Sequence, residues 1–114
     1  MSESKTIFEK IIDREVPAEI LMETDDTVVI KDINPQAPVH VLVVPKRKIE
    51  HIASMGETDA GIVANLLLTA TAFARENGIP SYRLVINNGA LAGETIHHLH
   101  IHLLAGREMS WPPG

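Results

Sequence analysis

Apolar residues recur along the chain with two periods, and the switches between them lay out the elements. Ile7, Phe8, Ile11 and Ile12 fall at helical spacing and predict a short amphipathic helix over residues 6–14, ended by Pro17. Residues 20–23 and 27–30 predict two strands around Asp25-Asp26, a turn-type pair. Two prolines keep residues 34–38 irregular, and the β-branched run 39–44, closed by Pro45, predicts a buried strand. Residues 57–77 form the one long helical segment, which Thr58 or Asp59 can cap and Gly78 and Pro80 stop. Its core stripe is Ile62, Val63, Leu66, Leu67, Ala70 and Phe73. Ala60, Ala64, Leu68 and Ala72 make a second apolar row, so this helix needs cover on two faces. Residues 82–87 predict a strand, Asn88-Gly89 a turn, and residues 97–104 the last strand. The proline-containing tail from Met109 predicts no regular element. Strands joined by short turns, with two segregated helices, predict an α+β fold on an antiparallel sheet of about five strands.

Length and composition narrow the picture. A chain of 114 residues predicts one domain, 1–114, with a core over about 6–108 and a tail at 109–114. A net charge of −5 argues against a nucleic-acid partner, which wants a basic face. The absence of cysteine excludes disulfides and thiolate metal sites. The opening Met1–Lys5 is followed by no signal-like apolar run, and the apolar stretch at 62–73 is cut by Asn65, Thr69 and Thr71. A cytoplasmic protein without a membrane partner is expected.

The chemistry concentrates in His97-His98-Leu99-His100-Ile101-His102-Leu103-Leu104. Side chains alternate across a strand, so His98, His100 and His102 share one face while Leu99, Ile101 and Leu103 share the other. Two functional readings follow. A metal site needs convergence, and zinc sits about 2.0–2.1 Å from each imidazole nitrogen. Residues i and i+2 on a strand lie about 6.7 Å apart and i and i+4 about 13 Å. Three on a straight strand hardly meet on one ion, so a metal would need a ligand from elsewhere, such as His40. The second reading is chemistry on phosphate without metal: imidazole is a nucleophile and a general acid or base near neutral pH.

The run His98-Leu99-His100-Ile101-His102-Leu103-Leu104 resembles the signature of the histidine triad (HIT) superfamily. Asp32-Ile33-Asn34-Pro35-Gln36-Ala37-Pro38-Val39-His40, Asn87, Gly93-Glu94-Thr95, Thr6-Ile7-Phe8 and the terminal Trp111-Pro112-Pro113-Gly114 extend the likeness over nearly the whole chain. The chain is most similar to the histidine triad nucleotide-binding branch, the purine nucleoside phosphoramidases. The resemblance implies a homodimer whose sheet continues across subunits, no cofactor, and hydrolysis of AMP-amine phosphoramidates through a nucleotidyl-histidine. It implies that His100 is the nucleophile, that His98 and His40 orient it and manage protons, and that His102 assists the leaving amine. It implies phosphate contacts from Asn87 and Thr95, a ribose contact from Asp32, and a place for Gly93 among the substrate-binding residues. Ile7, Phe8, Ile11, Ile30, Ile33 and Leu42 would line the purine pocket, with Trp111 reaching the partner's site. Alternatives are a non-catalytic nucleotide-binding scaffold, against which the retained His100 speaks, and a dinucleoside polyphosphate hydrolase, against which His102 speaks. Thr95 stands where many relatives have serine, His97 where tyrosine is frequent, and Lys48 where several place a further histidine.

Overall fold

Thr6 begins the first helix by a reciprocal exchange. Its hydroxyl accepts the Glu9 N–H at 3.1 Å, and the Glu9 carboxylate accepts the Thr6 N–H at 2.9 Å. The resulting α1 spans Ile7–Ile12, shorter than the predicted 6–14. The computed structural model describes residues 5–114, so the opening four residues, where no targeting segment is expected, lie outside the described residues. No described helix is long and apolar enough to cross a membrane.

Five strands form one antiparallel sheet: β1 (Ile20–Glu23), β2 (Thr27–Lys31), β3 (Val39–Pro45), β4 (Arg83–Val85) and β5 (Ile101–Ala105), in the spatial order β1-β2-β3-β5-β4. Strand alternation sorts their side chains onto two faces. Val29, Val41, Val43, Ile101 and Leu103 pack with Leu66, Ala70 and Phe73 of the long helix α2 (Ala60–Glu76). Val28, Ile30, Leu42 and Val44 pack on the opposite face with Phe8 and Ile11 of α1. The predicted fold class, an antiparallel sheet with one long and one short helix, is the observed one.

Three further boundaries move by more than one residue, each for a local reason. Residues 57–59 form a separate 3-10 turn, because the Asp59 carboxylate accepts the Gly56 N–H at 3.0 Å and makes no capping bond to α2. The last strand begins at Ile101 rather than His97. The chain bends at residues 96–98, and the Leu99 N–H goes to the Ile49 carbonyl at 2.6 Å instead of to a sheet neighbour. The predicted strand 82–87 shortens to Arg83–Val85, since its ladder runs out one step from the point where β5 begins.

One contact positions the loop before β3. Gly106 follows β5 at φ +92°, and a Cβ there would meet the Pro38 Cβ at 2.9 Å. Only glycine fits both the left-handed backbone and that approach. The 34–38 loop is thereby drawn against the end of β5, and the Arg107 guanidinium donates to the Gln36 carbonyl at 3.1 Å.

Candidate active site

The register of β3 against β5 brings the histidines together. His40 pairs with Leu104 and Leu42 with His102, so His40 and His102 are diagonal neighbours on one face. Their rings close the gap with a hydrogen bond between His40 Nε2 and His102 Nδ1 at 2.9 Å. The Gln36 backbone N–H reaches His40 Nδ1 at 3.0 Å. A backbone amide can only donate, so His40 Nδ1 accepts and the ring's hydrogen sits on Nε2. His40 therefore donates to His102 Nδ1, and the neutral His102 carries its own hydrogen on Nε2. Burial, then the neighbouring His100 and His40, push the His102 imidazole down to about 4, which keeps it neutral.

Fixed donors and acceptors also orient the other two rings. His98 is fully buried. Its Nε2 faces the Pro45 carbonyl at 2.9 Å and its Nδ1 the Thr6 hydroxyl at 3.1 Å. Burial pushes its pKa below the ordinary histidine value, so the ring is neutral, donates to Pro45 and accepts from Thr6. His100 donates from Nδ1 to the His98 carbonyl at 2.7 Å. That bond puts the ring's hydrogen on Nδ1, and no donor among the described residues reaches the His100 Nε2 lone pair. The His100 ring is half-buried, with Phe8 at 4.9 Å and His102 at 5.0 Å between centroids.

His100 and His102 open onto a cavity of about 710 Å³. Ile7, Phe8, Ile11, Ile30 and Leu42 line one part of its wall, while Asp32, Ile33, Asn87, Gly93 and Thr95 also border it. Every pocket residue expected from the sequence except Trp111 therefore meets at one place. His98 and His40 stand behind the wall, each bonded at both ring nitrogens. Trp111 is 81% exposed and sits over the Arg83 guanidinium at 6.0 Å, away from this cavity in the single chain.

Asp32 carries two contacts. Its Oδ1 accepts the Asn34 N–H at 2.8 Å, a turn-forming bond, and its Oδ2 lies 3.4 Å from His40 Nε2. Asp32, His40 and His102 thus place potential metal-ligating atoms within 4.8 Å of one another. The ligand from outside the strand that a metal would need, His40, stands across the sheet on β3. The donor set is nonetheless arranged for a proton. Two imidazole nitrogens on one tetrahedral zinc lie about 3.3 Å apart with no hydrogen between them, whereas His40 and His102 share a hydrogen at 2.9 Å. As arranged, His40 and His102 hold a shared hydrogen, and the ligating atoms of the three residues also lie close enough together to hold an ion.

Sequence reasoning missed the partners of the histidine rings: the Gln36 amide, the Pro45 and His98 carbonyls, and the Thr6 hydroxyl. Thr6 had a readable signal, the Thr-x-x-Glu capping box ending at Glu9. A backbone amide has none. Pro17, Ala18, Glu19, Lys31 and Ile96 also line the cavity and carry no motif.

Comparison with known proteins places this architecture. The family model described as "Scavenger mRNA decapping enzyme C-term binding" matches residues 5–111. An uncharacterized HIT-like protein of Synechocystis is 51% identical over 110 residues, covering 96% of each chain. Adenylylsulfatase HINT1 of Arabidopsis thaliana is 40% identical over 116 residues, covering 99% of this chain and 79% of that protein. Among solved structures, a HIT family hydrolase from Legionella pneumophila superposes with a TM-score of 0.93 at 39% identity, covering 96% of this chain and all of that one. The chain belongs to the histidine triad superfamily. Within it, the likeness to the HINT1 protein supports the histidine triad nucleotide-binding branch.

Proposed function

We propose that this protein is a nucleotide-binding hydrolase that cleaves the P–N bond of purine nucleoside 5′-phosphoramidates. The observation that carries the reading is the His100 tautomer. Its Nδ1–H is held by the His98 carbonyl at 2.7 Å, leaving the Nε2 lone pair on a ring that lines the cavity.

In this reading the apolar wall from Ile7, Phe8, Ile11, Ile30, Ile33 and Leu42 takes the purine. The Asp32 carboxylate accepts the ribose hydroxyls, and Asn87, Gly93 and Thr95 face the phosphate. His100 Nε2 bonds to phosphorus as the P–N bond breaks. The His102 Nε2–H donates a hydrogen bond to the departing nitrogen, which takes its proton from solvent, as positive charge grows on the phosphorylated His100 ring. Water then supplies OH to phosphorus and its remaining proton to solvent, releasing AMP and restoring His100. His40 and His98 touch no substrate; they hold His102 and His100 in the required tautomers.

A homodimer belongs to the same proposal. Leu67 and Leu68 of α2 are 42% and 66% exposed, and Ala60 and Ala64 beside them are exposed too. The short strand β4 leaves one sheet edge unpaired in the single chain. A second copy on this face would cover both and continue the sheet, and would give Trp111 a partner site. The working compartment proposed is the cytoplasm.

The test is release of AMP from adenosine 5′-phosphoramidate by purified protein. Metal-independent release supports the reading. No release, with AMP still bound, favours the scaffold alternative. Release lost to a strong chelator and restored by zinc would contradict the proton assignment at Asp32, His40 and His102.

A further inference from the structure

The loop that brings Asn87, Gly93 and Thr95 to the cavity has little to hold it. Its only regular element is a single 3-10 turn, Ala90–Ala92, and its tip is solvent-facing, with Leu91 fully exposed. Gly89 and Gly93 take φ of +93° and +100°, so both ends bend through left-handed backbone. Such a segment samples many forms unless something fixes it.

One side chain does. Glu94 stands between two of the cavity-lining residues, yet its side chain turns inward and is 4% exposed. One carboxylate oxygen accepts the Gly89 N–H at 2.8 Å, closing the loop on itself; the other meets His51 Nδ1 at 2.7 Å. The Glu94 N–H returns to the Gly89 carbonyl at 3.1 Å. His51 belongs to the segment after β3, and its ring packs edge-on against His97 at 5.0 Å, with the Glu50 carboxylate 3.9 Å from its second nitrogen. A parallel tie runs from the Ala53 N–H to the Asn88 side-chain oxygen at 3.0 Å. The Gly89 amide, then His51, hold the Glu94 carboxyl below the usual carboxylate range, so it is the ionised, two-bond acceptor at neutral pH.

We propose that Glu94, locked to His51, is a positioning residue for the substrate phosphate: it holds the loop in the form that presents Asn87, Gly93 and Thr95 to that group. This rests on the nucleotide reading above. Glu94 does not touch substrate; it acts through the loop backbone. Its loss therefore weakens what the phosphate feels and leaves the base and ribose contacts in place.

The experiment is calorimetric binding of AMP and of adenosine to wild type, Glu94→Ala, Glu94→Gln, His51→Ala and the Glu94→Ala/His51→Ala double variant. Glu94→Ala is expected to weaken AMP about tenfold and adenosine less than about twofold, the size of losing one charge-assisted anchor. Glu94→Gln, which can still accept from Gly89 and face His51, recovers AMP affinity to within about threefold of wild type. His51→Ala keeps the Gly89 bond and costs about threefold for AMP alone, so it tests the idea even if Glu94→Ala does not fold. The double variant is no worse than Glu94→Ala, because the two residues act as one anchor. Equal weakening of both ligands would make Glu94 a plain stability residue and overturn the proposal. So would unchanged AMP affinity, or a wild type that prefers AMP no more than adenosine. Phosphoramidate turnover is scored separately: its failure beside an intact AMP preference condemns the activity reading and not this one.

Discussion

The two faces of the sheet use the same alternation for opposite ends. On one, Val29, Val41, Val43, Ile101 and Leu103 meet a 17-residue helix and form a buried hydrophobic core. On the other, a six-residue helix covers only part of the sheet. The uncovered part becomes the cavity, and the residues there alternate with the core: His102 falls between Ile101 and Leu103. A long helix makes a core, while a short one on the same sheet leaves a site. The site is still anchored by burial, since His98 is as buried as Leu103 beneath the other helix.

Removing groups from each face separates these roles. The largest effect is expected at His100. His100→Ala should lower single-turnover AMP release by roughly 100-fold or more with AMP affinity retained, since the covalent step needs one imidazole and binding does not. Retention of more than about a tenth of the rate would remove His100 from its role.

Leu103→Ala, on the sealed face, should destabilise by about 2–5 kcal/mol in urea unfolding, as for a fully buried leucine. The folded fraction should keep its AMP affinity. A selective loss of binding would mean the faces are not independent.

Asp32→Ala should cost AMP about 1–3 kcal/mol of binding and 2′-deoxy-AMP distinctly less, because the deoxy sugar already leaves the carboxylate half used. Equal losses would leave Asp32 with its turn bond to Asn34 alone.

Acid should find the histidine face first. The folded protein holds His102 near 4 against an ordinary value of 6.5. Between those values the unfolded chain binds the extra proton, so stability falls as pH drops from 6.5 toward 4 and is complete above 6.5. His102→Gln should flatten the pH dependence of the urea midpoint in that window. An unchanged slope would contradict the burial argument. The smallest effect belongs to the tail. Deleting residues 111–114 should shift preference among aminoacyl phosphoramidates while sedimentation still shows a dimer, and a monomer at micromolar concentration would end the dimer proposal.

The periodicities that carry burial were readable. Leu99, Ile101 and Leu103 against His98, His100 and His102 announced a two-faced segment, and the long helix announced itself by its stripe and its Gly-Pro stop. What was not readable depends on partners far along the chain. The segment 97–100 has strand composition, yet Leu99 bonds to Ile49 and leaves the ladder. His40 reaches His102 only through the β3–β5 register, which no local pattern encodes. The tautomers rest on a backbone amide and a carbonyl, groups every residue has. Asp32 forms a turn bond to Asn34 and its second oxygen faces His40, a pairing across the loop that no local pattern encodes.

The central claim is that His100 Nε2 attacks phosphorus and is then displaced by water. Two in-line displacements restore the configuration at phosphorus, and one direct attack by water inverts it. The deciding measurement is the stereochemical course of hydrolysis of a phosphoramidate chiral at phosphorus, run in isotopically labelled water. Overall retention is the result this account predicts. Inversion would show that water attacks the substrate directly, and would contradict it.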